Sequence, residues 1–371
     1  TNLPDMPVAY TNANLFTGES FEEGKVVLTD MGIITEITDD GAIPHGYTKV
    51  DLEGLNMAPA FIDLQIYGGN GRMFSDDLNH EALAAIYDYC RSGGASHFMV
   101  TLATNSIETF LKGIDAVREY WKSGGKGVLG VHLEGPYINA KKKGAHIEEF
   151  IKKPELDELK MLIDKGGDVI KMITIAPEVC SDEIIEFLLE NVMIVSAGHT
   201  NASYQQAQYG FGKGIPAATH LFNAMTGLQH REPGMVGAIF NDAGAMSSIV
   251  CDGIHVDFAA VRIAKKIMEE RLFYITDAVA ESKSGPYPHV FKNDRYTMPD
   301  GTLSGSALTM MQCVKNGIEK AGIRPEESLR MAAEYPGLLL QRELLMGKMS
   351  ENYTANFVVF DNEYKVVRVI S

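Results

Sequence analysis

Apolar and polar positions follow two regimes along the chain. In the middle, short apolar runs alternate with longer stretches of helical spacing. The runs are Ala60–Gln65, His97–Thr101, Gly127–Glu134, Val169–Ala176, Val192–Ala197, Ile215–His220, Ser247–Asp252 and Leu272–Asp277. Short, nearly uninterrupted apolar runs are the pattern of strands buried on both faces. Between them, Asn79–Ser92, Ser106–Trp121, Pro154–Lys165, Ser181–Glu190, Ser203–Tyr209 and Asp257–Glu269 read as helices, and Ser306–Ala321 and Pro325–Glu334 follow the last run. Ser181-Asp182-Glu183-Ile184 sets a capping serine before an acidic first turn, and Pro325-Glu326-Glu327 also suits a first turn. Strand and helix alternating in this way predict an α/β fold, a TIM-like (β/α)8 barrel.

The two ends of the chain differ from the middle. Val8–Leu15, Gly24–Thr29, Gly32–Ile37 and Tyr47–Leu52 are short β-type stretches divided by Gly, Asp and Thr turns. Ala355–Asp361 and Tyr364–Ile370 repeat that character at the other end. The simplest organisation is one small β domain built from residues 1–57 and 345–371, around a barrel spanning 58–344. There is no internal repeat and no low-complexity tract.

Composition narrows the possibilities. A chain of 371 residues suits a barrel plus a small domain. With 45% hydrophobic and 22% charged residues it is neither disordered nor fibrous. Lys+Arg 33 against Asp+Glu 49 leaves a net charge of −16. That field repels phosphate backbones and anionic lipid, so neither nucleic acid nor a membrane is an expected partner. An anionic substrate would need a local basic pocket. No window approaches the ~20 apolar residues of a membrane span. Cys90, Cys180, Cys251 and Cys313 are scattered without a CxxC pair and read as free thiols in a reducing cytoplasm. Thr1-Asn2-Leu3-Pro4-Asp5 shows neither a basic nor an apolar segment, so no secretory signal is expected.

Barrels of this kind gather their chemistry where the strands end. The runs end or are followed at Asp63-Leu64-Gln65, His132-Leu133-Glu134, Gly198-His199-Thr200, Thr219-His220, Asp252-Gly253-Ile254-His255 and Thr276-Asp277. Glu134, His199 and His220 together form a catalytic zinc-type ligand set, two imidazoles and a carboxylate with a position open for water. The plain alternative is that both histidines are hydrogen-bonded barrel residues. Asp277 is a candidate general base for a metal-bound water, or else a turn aspartate. His132 lies two residues before Glu134, on the same face, and reads as structural. Lys141-Lys142-Lys143 reads as a solvated run, whereas His146 in the same loop can fold over the site.

Leu221-Phe222-Asn223-Ala224-Met225 and Arg231-Glu232-Pro233-Gly234 offer an amide, backbone N–H groups and a guanidinium to an anion. A surface ion pair with Glu232 or another acid is the simpler reading of Arg231. Leu303-Ser304-Gly305-Ser306 reads as a small-residue loop opening the next helix, close enough for a polar ligand to approach its N-terminus. No Walker P-loop, GxSxG, or GxGxxG after a strand is present.

Several segments, taken in order, carry a family likeness. They are Ala58-Pro59-Ala60-Phe61-Ile62-Asp63, His132-Leu133-Glu134-Gly135-Pro136, Lys142-Lys143-Gly144-Ala145-His146, Ser196-Ala197-Gly198-His199-Thr200, Thr219–Met225, Arg231–Gly234, Asp252–His255 and Leu303–Ala307. Through nearly the whole chain they resemble the amidohydrolase superfamily, and within it the branch that deacetylates N-acetylglucosamine 6-phosphate. The resemblance implies a distorted barrel with a β-sandwich from the two termini. It implies Glu134, His199 and His220 as ligands of one divalent metal per subunit, Zn2+ first, with Fe2+ or another divalent ion as the other options. Asp277 becomes the acid/base and His146 a neighbour of the acetyl carbonyl. Ala145, Asn223, Ala224, Arg231, His255, Leu303, Ser304 and Gly305 surround the sugar phosphate. A cytoplasmic homodimer follows, in which the arginine at position 231 reaches the partner's site.

One departure matters. Many members of the superfamily carry His-x-His after the first barrel strand and a lysine after the fourth, serving a second metal. Here those places read Gln65-Ile66-Tyr67 and Ile175-Ala176-Pro177, which are poor ligands. The site is therefore expected to be mononuclear. The alternative within the superfamily is a hydrolase of another N-acyl or cyclic amide, which would have no use for a phosphate clamp.

Overall fold

The computed structural model describes residues 5–371; Thr1–Pro4, where most of the leaderless pattern was read, lie outside them. Eight parallel strands form one sheet in sequence order. They are β1 (Phe61–Ile66), β2 (Ala95–Ala103), β3 (Val128–Glu134), β4 (Ile170–Ile175), β5 (Ile194–Ala197), β6 (Ala217–Ala218), β7 (Met246–Ile249) and β8 (Leu272–Tyr274). The ring closes just beyond the end of β8. Asp277 N–H donates to Gln65 O at 3.0 Å and Tyr67 N–H to Ala278 O at 2.9 Å. All eight predicted runs become strands. The sixth shrinks to two residues, because the chain turns into the left-handed region at His220, φ 39°.

Helices cover the outside of the barrel. They are α1 (His80–Ser92), α2 (Ile107–Lys122), α3 (Leu156–Gly166), α4 (Asp182–Asn191), α5 (Tyr204–Gly212), α6 (Gly234–Asn241), α7 (Phe258–Met268), α8 (Met310–Glu319), α9 (Pro325–Ala332) and α10 (Glu334–Leu340). Asn79, Ser106, Ser181 and Ser203 each accept a hydrogen bond from the backbone N–H three residues on, satisfying one of the orphan donors of a first turn. The sequence pattern did not reveal α6. Its first six residues are all buried, so no polar face marks a helical period. The expected helix over 325–334 breaks at Ala333, φ −135°, and a second short helix carries Pro336 in its first turn, where the missing N–H costs nothing.

The termini build two facing sheets. One contains Val8–Thr11, Lys25–Asp30, Ile33–Asp39 and Thr48–Asp51, and the other Asn14–Phe16, Phe21–Glu22, Asn56–Pro59, Phe357–Phe360 and Val366–Ile370. The predicted run Val8–Leu15 therefore splits, with Asn12 at φ 56°, and its halves join different sheets. Val8, Tyr10 and Val27 from one sheet meet Leu15, Phe357 and Val359 from the other in a buried core. This is a β-sandwich. Asn56–Pro59 pairs with Phe357–Phe360, and the chain then runs directly into β1. The last sandwich strand therefore sets the position of the first barrel strand. Among the described residues no helix is long and apolar enough to cross a membrane. The four cysteines are unpaired, and all but Cys180 are buried.

Candidate active site

Glu134 ends β3 and is 1% exposed. Its Oε2 lies 3.3 Å from His199 Nε2 and 3.2 Å from His220 Nε2, and the two Nε2 atoms are 3.2 Å apart. The other ring nitrogens fix the protons. His199 Nδ1 faces Lys142 O at 2.9 Å and His220 Nδ1 faces Asn223 O at 3.0 Å. A carbonyl can only accept, so each Nδ1 carries the hydrogen and each Nε2 is a bare lone pair. Burial lowers the pKa of His199, which favours this neutral form. Three acceptor atoms thus point at one another in a dry place. A cation resolves that conflict. Ligands at tetrahedral corners about 2.0–2.1 Å from zinc stand roughly 3.3 Å apart, close to the spacing found here.

His146 also brings its Nε2 to this carboxylate, 2.8 Å from Glu134 Oε1, so that Glu134, His146 and His199 offer ligand atoms within 4.8 Å of one another. Its chemistry differs from that of His220. His146 Nδ1 meets the Thr104 hydroxyl at 2.7 Å. A hydroxyl can donate, and Nε2 then carries the hydrogen and gives it to Glu134 Oε1. His146 thus meets the carboxylate as a donor, whereas His199 and His220 face it with bare ring nitrogens. Gly135 permits this arrangement, since a Cβ on its left-handed backbone would strike the Thr104 hydroxyl.

The place where a second metal would need ligands is filled by donors. Gln65 Nε2 lies 2.8 Å from Glu134 Oε2 and 3.2 Å from Asp277 Oδ1, and Tyr67 OH donates to Glu134 Oε1 at 2.5 Å. The amide nitrogen and the phenol meet these carboxylates as donors and offer them no cation. The sequence marked these two residues as poor ligands but gave no sign that they bind the carboxylates. Thr104 was missed, and no local motif announces it; Asp252 was picked out with its strand end, but not its bond to His255.

Asp277 follows β8 and is 8% exposed. Burial pushes its carboxyl up to about 8, with His220 opposing and the Glu134 charge adding to the rise. A cation at the neighbouring ligands would pull it back toward the ionised form. His199, His220 and Asp277 all adopt positive φ, at 45°, 39° and 54°. Such conformations cost of order 1–3 kcal/mol each and persist where the surroundings impose them. Here they turn three side chains off their strand ends toward a common centre.

His255 Nδ1 is held by Asp252 at 2.6 Å, and its Nε2 lies 3.8 Å from Asp277 Oδ2. Ala145, Asn223, Ala224, His255, Leu303 and Ser304 line a cleft of about 130 Å³ with the centre at its floor. Gly305 lies behind them, buried against Val279. The loop reading of 303–306 needs correction. Leu303–Gly305 is a strand pairing with Arg295–Thr297, and the next helix starts only at Met310 under a Thr309 cap, so no helix N-terminus faces the cleft there. Arg231 is exposed and does not line the cleft of its own chain. Glu232 bonds the N–H groups of Tyr204 and Gly234 at 2.6 and 3.2 Å instead of pairing with it. His132 is buried one layer below the centre, with Nδ1 on Leu64 O at 3.1 Å and Nε2 on the Thr174 hydroxyl at 2.7 Å, a structural role as expected.

Comparison with known proteins agrees with this picture. A family profile described as "Amidohydrolase family" matches residues 56–371. The N-acetylglucosamine-6-phosphate deacetylase of Haemophilus influenzae is 32% identical, with 98% of each chain covered. The N-acetylgalactosamine-6-phosphate deacetylase of Escherichia coli O157:H7 is 30% identical over 96% of this chain and 95% of its own. The crystal structure of N-acetylglucosamine-6-phosphate deacetylase from Pasteurella multocida superposes with a TM-score of 0.92 at 33% identity, covering 98% of this chain and 97% of that one.

Proposed function

Because the chain belongs to the amidohydrolase family, we propose that it hydrolyses the acetamide of N-acetyl-D-glucosamine 6-phosphate to D-glucosamine 6-phosphate and acetate. The observation that carries the reaction type is the convergence of three unprotonated ligand atoms beside a buried carboxylate. The relatives carry the substrate class.

In this reading Glu134, His199 and His220 hold one divalent ion, Zn2+ by preference, with Fe2+ or another divalent ion as substitutes. The bound ion would supply Lewis-acid chemistry, lowering the pKa of water and polarising the acyl oxygen. Asp277 takes a proton from the attacking water. The water oxygen bonds to the acyl carbon, and His146 Nε2–H stabilises the negative charge growing on the acyl oxygen. As the C–N bond breaks, Asp277 returns the proton to the leaving amine. Asn223, Ala224, His255 and the Leu303-Ser304-Gly305 strand hold the sugar phosphate, and Arg231 clasps the phosphate of the partner subunit's substrate in a homodimer. Such remote contacts hold the acetamide in line for attack. Unpaired cysteines in the described fold support a reducing, cytoplasmic setting.

Acetate release tests this directly, with N-acetylglucosamine 6-phosphate, its galactosamine epimer and unphosphorylated N-acetylglucosamine compared in parallel. The glucosamine phosphate should be cleaved fastest. Faster cleavage of the galactosamine epimer would move the assignment to that sugar, and equal cleavage of the unphosphorylated sugar would remove the phosphate from the recognition.

A further inference from the structure

A second cavity opens beside the first. It shares Tyr67, Ala145, His146 and Ser304 with the cleft, but not Asn223, Ala224, His255 or Asp277. Its other walls are the apolar Met73, Ala103 and Val279 together with Tyr287, His289, Thr101 and Ser75, and His289 Nδ1 is engaged with the Ser304 hydroxyl at 2.8 Å. Tyr67, Met73, Val279 and Ala280 form a separate buried apolar cluster here, with Ala103 packed against it. The cavity measures about 30 Å³. A single water-sized sphere takes roughly 10–15 Å³ on this measure, so there is room for about two.

The position of this cavity relative to the chemistry gives it a meaning. Deacetylation, as proposed above and on which this inference rests, puts the acyl carbon between Asp277 and His146. The sugar leaves toward the side lined by Asn223, Ala224 and His255. The other substituent of the acyl carbon then points past His146 and Tyr67, onto the apolar side of this cavity formed by Met73, Ala103 and Val279. We propose that this cavity is the acyl pocket, and that it admits an acyl chain one or two carbons longer than acetyl before Met73, Val279 and Tyr287 stop it. Ala103 and Met73 are the residues that set its depth. The small side chain of Ala103 leaves the space open, and the flexible thioether of Met73 closes its end. The reaction is the same hydrolysis, with water supplying the oxygen to the acyl carbon and a proton to the amine.

The test uses the full-length enzyme loaded with its metal and a series of N-acyl glucosamine 6-phosphates, with kcat/KM read by release of the free amine. One methylene in an apolar pocket is worth roughly 10–200-fold. N-propionyl should fall within about tenfold of N-acetyl, and N-hexanoyl at least about a hundredfold below it. Ala103→Val should lower the propionyl-to-acetyl ratio by roughly tenfold, and Met73→Ala should raise the hexanoyl-to-acetyl ratio by at least as much. General structural damage would lower every substrate together and leave the ratios unchanged. Normal acetyl hydrolysis with propionyl more than about a hundredfold slower would show that the acyl chain does not enter this cavity. Ratios unmoved by both variants would do the same. If the acetyl substrate itself gives no amine, the deacetylase reading fails first and takes the acyl pocket with it.

Discussion

Two adjacent layers of the same barrel carry buried histidines, one among hydroxyls and one beside a carboxylate, and they treat hydrogen bonds in opposite ways. In the lower layer His132 Nδ1–H donates to Leu64 O at 3.1 Å, so Nε2 accepts from Thr174 at 2.7 Å. Thr174 can then accept from Thr219 at 2.8 Å, and Thr219 from Ser196 at 2.7 Å. Each donor in that chain finds an acceptor within the protein. One to three residues further along the chain, at or just past the strand ends, Glu134, His199 and His220 present acceptors to acceptors. The first layer is complete as a polypeptide, and the second becomes complete only with a cation. Both layers are buried and both contain histidine. What separates structure from function here is the direction of the protons.

The largest effect should come from removing the proposed base beside the incomplete layer. Asp277→Asn keeps the shape and the Gln65 contact but removes the carboxylate, so turnover should fall by roughly 10²–10⁴-fold. Metal content, read by elemental analysis, should stay at the wild-type value. A variant with near-normal turnover would assign the base to another group.

Arg231 sharpens the contrast from outside both layers. Charged hydrogen bonds contribute roughly 1.5–3 kcal/mol, or about ten- to a hundredfold in affinity. Arg231→Ala should reduce kcat/KM for the phosphorylated sugar by about that factor and scarcely change the slow hydrolysis of the unphosphorylated one. A surface mutation that breaks the proposed dimer should narrow the same preference. An equal fall for both sugars after Arg231→Ala would make the arginine a structural residue.

The smallest effect belongs to the complete layer. His132→Phe leaves the Thr174 hydroxyl without its acceptor, at a cost of roughly 1–3 kcal/mol in stability. It should lower the urea midpoint without changing metal stoichiometry. Loss of the metal from this variant, with folding intact, would mean that the two layers are not separate.

Much of this was legible in the sequence, for identifiable reasons. Strands buried on both faces leave apolar runs, so all eight strands could be located. A barrel gathers its site at strand ends, so Glu134, His199, His220 and Asp277 could be picked out with no local motif. The left-handed turns at His199, His220 and Asp277 could not, because tertiary packing imposes them on residues with no glycine-like signature. Gln65 was read as a poor ligand, but its bridge to two carboxylates depends on the closure between β1 and the residues after β8, 212 positions apart in sequence. The Leu303–Gly305 strand was mistaken for a helix-opening loop because Gly is depleted in strands and, like Ser, favoured in turns, and three residues are too few to show an alternation. The helix α6 was invisible because a helix buried on nearly every face shows no period.

The central claim is that the upper layer holds one divalent cation through two neutral imidazoles and one carboxylate, with Gln65 and Tyr67 occupying the second position. The most direct measurement is elemental analysis of protein stripped with a chelator and then reloaded with zinc or iron(II), combined with the same count for His199→Ala and His220→Ala. One tightly bound ion per chain, lost in both variants, is the predicted result. Two ions per chain, or one that survives both substitutions, would contradict the account.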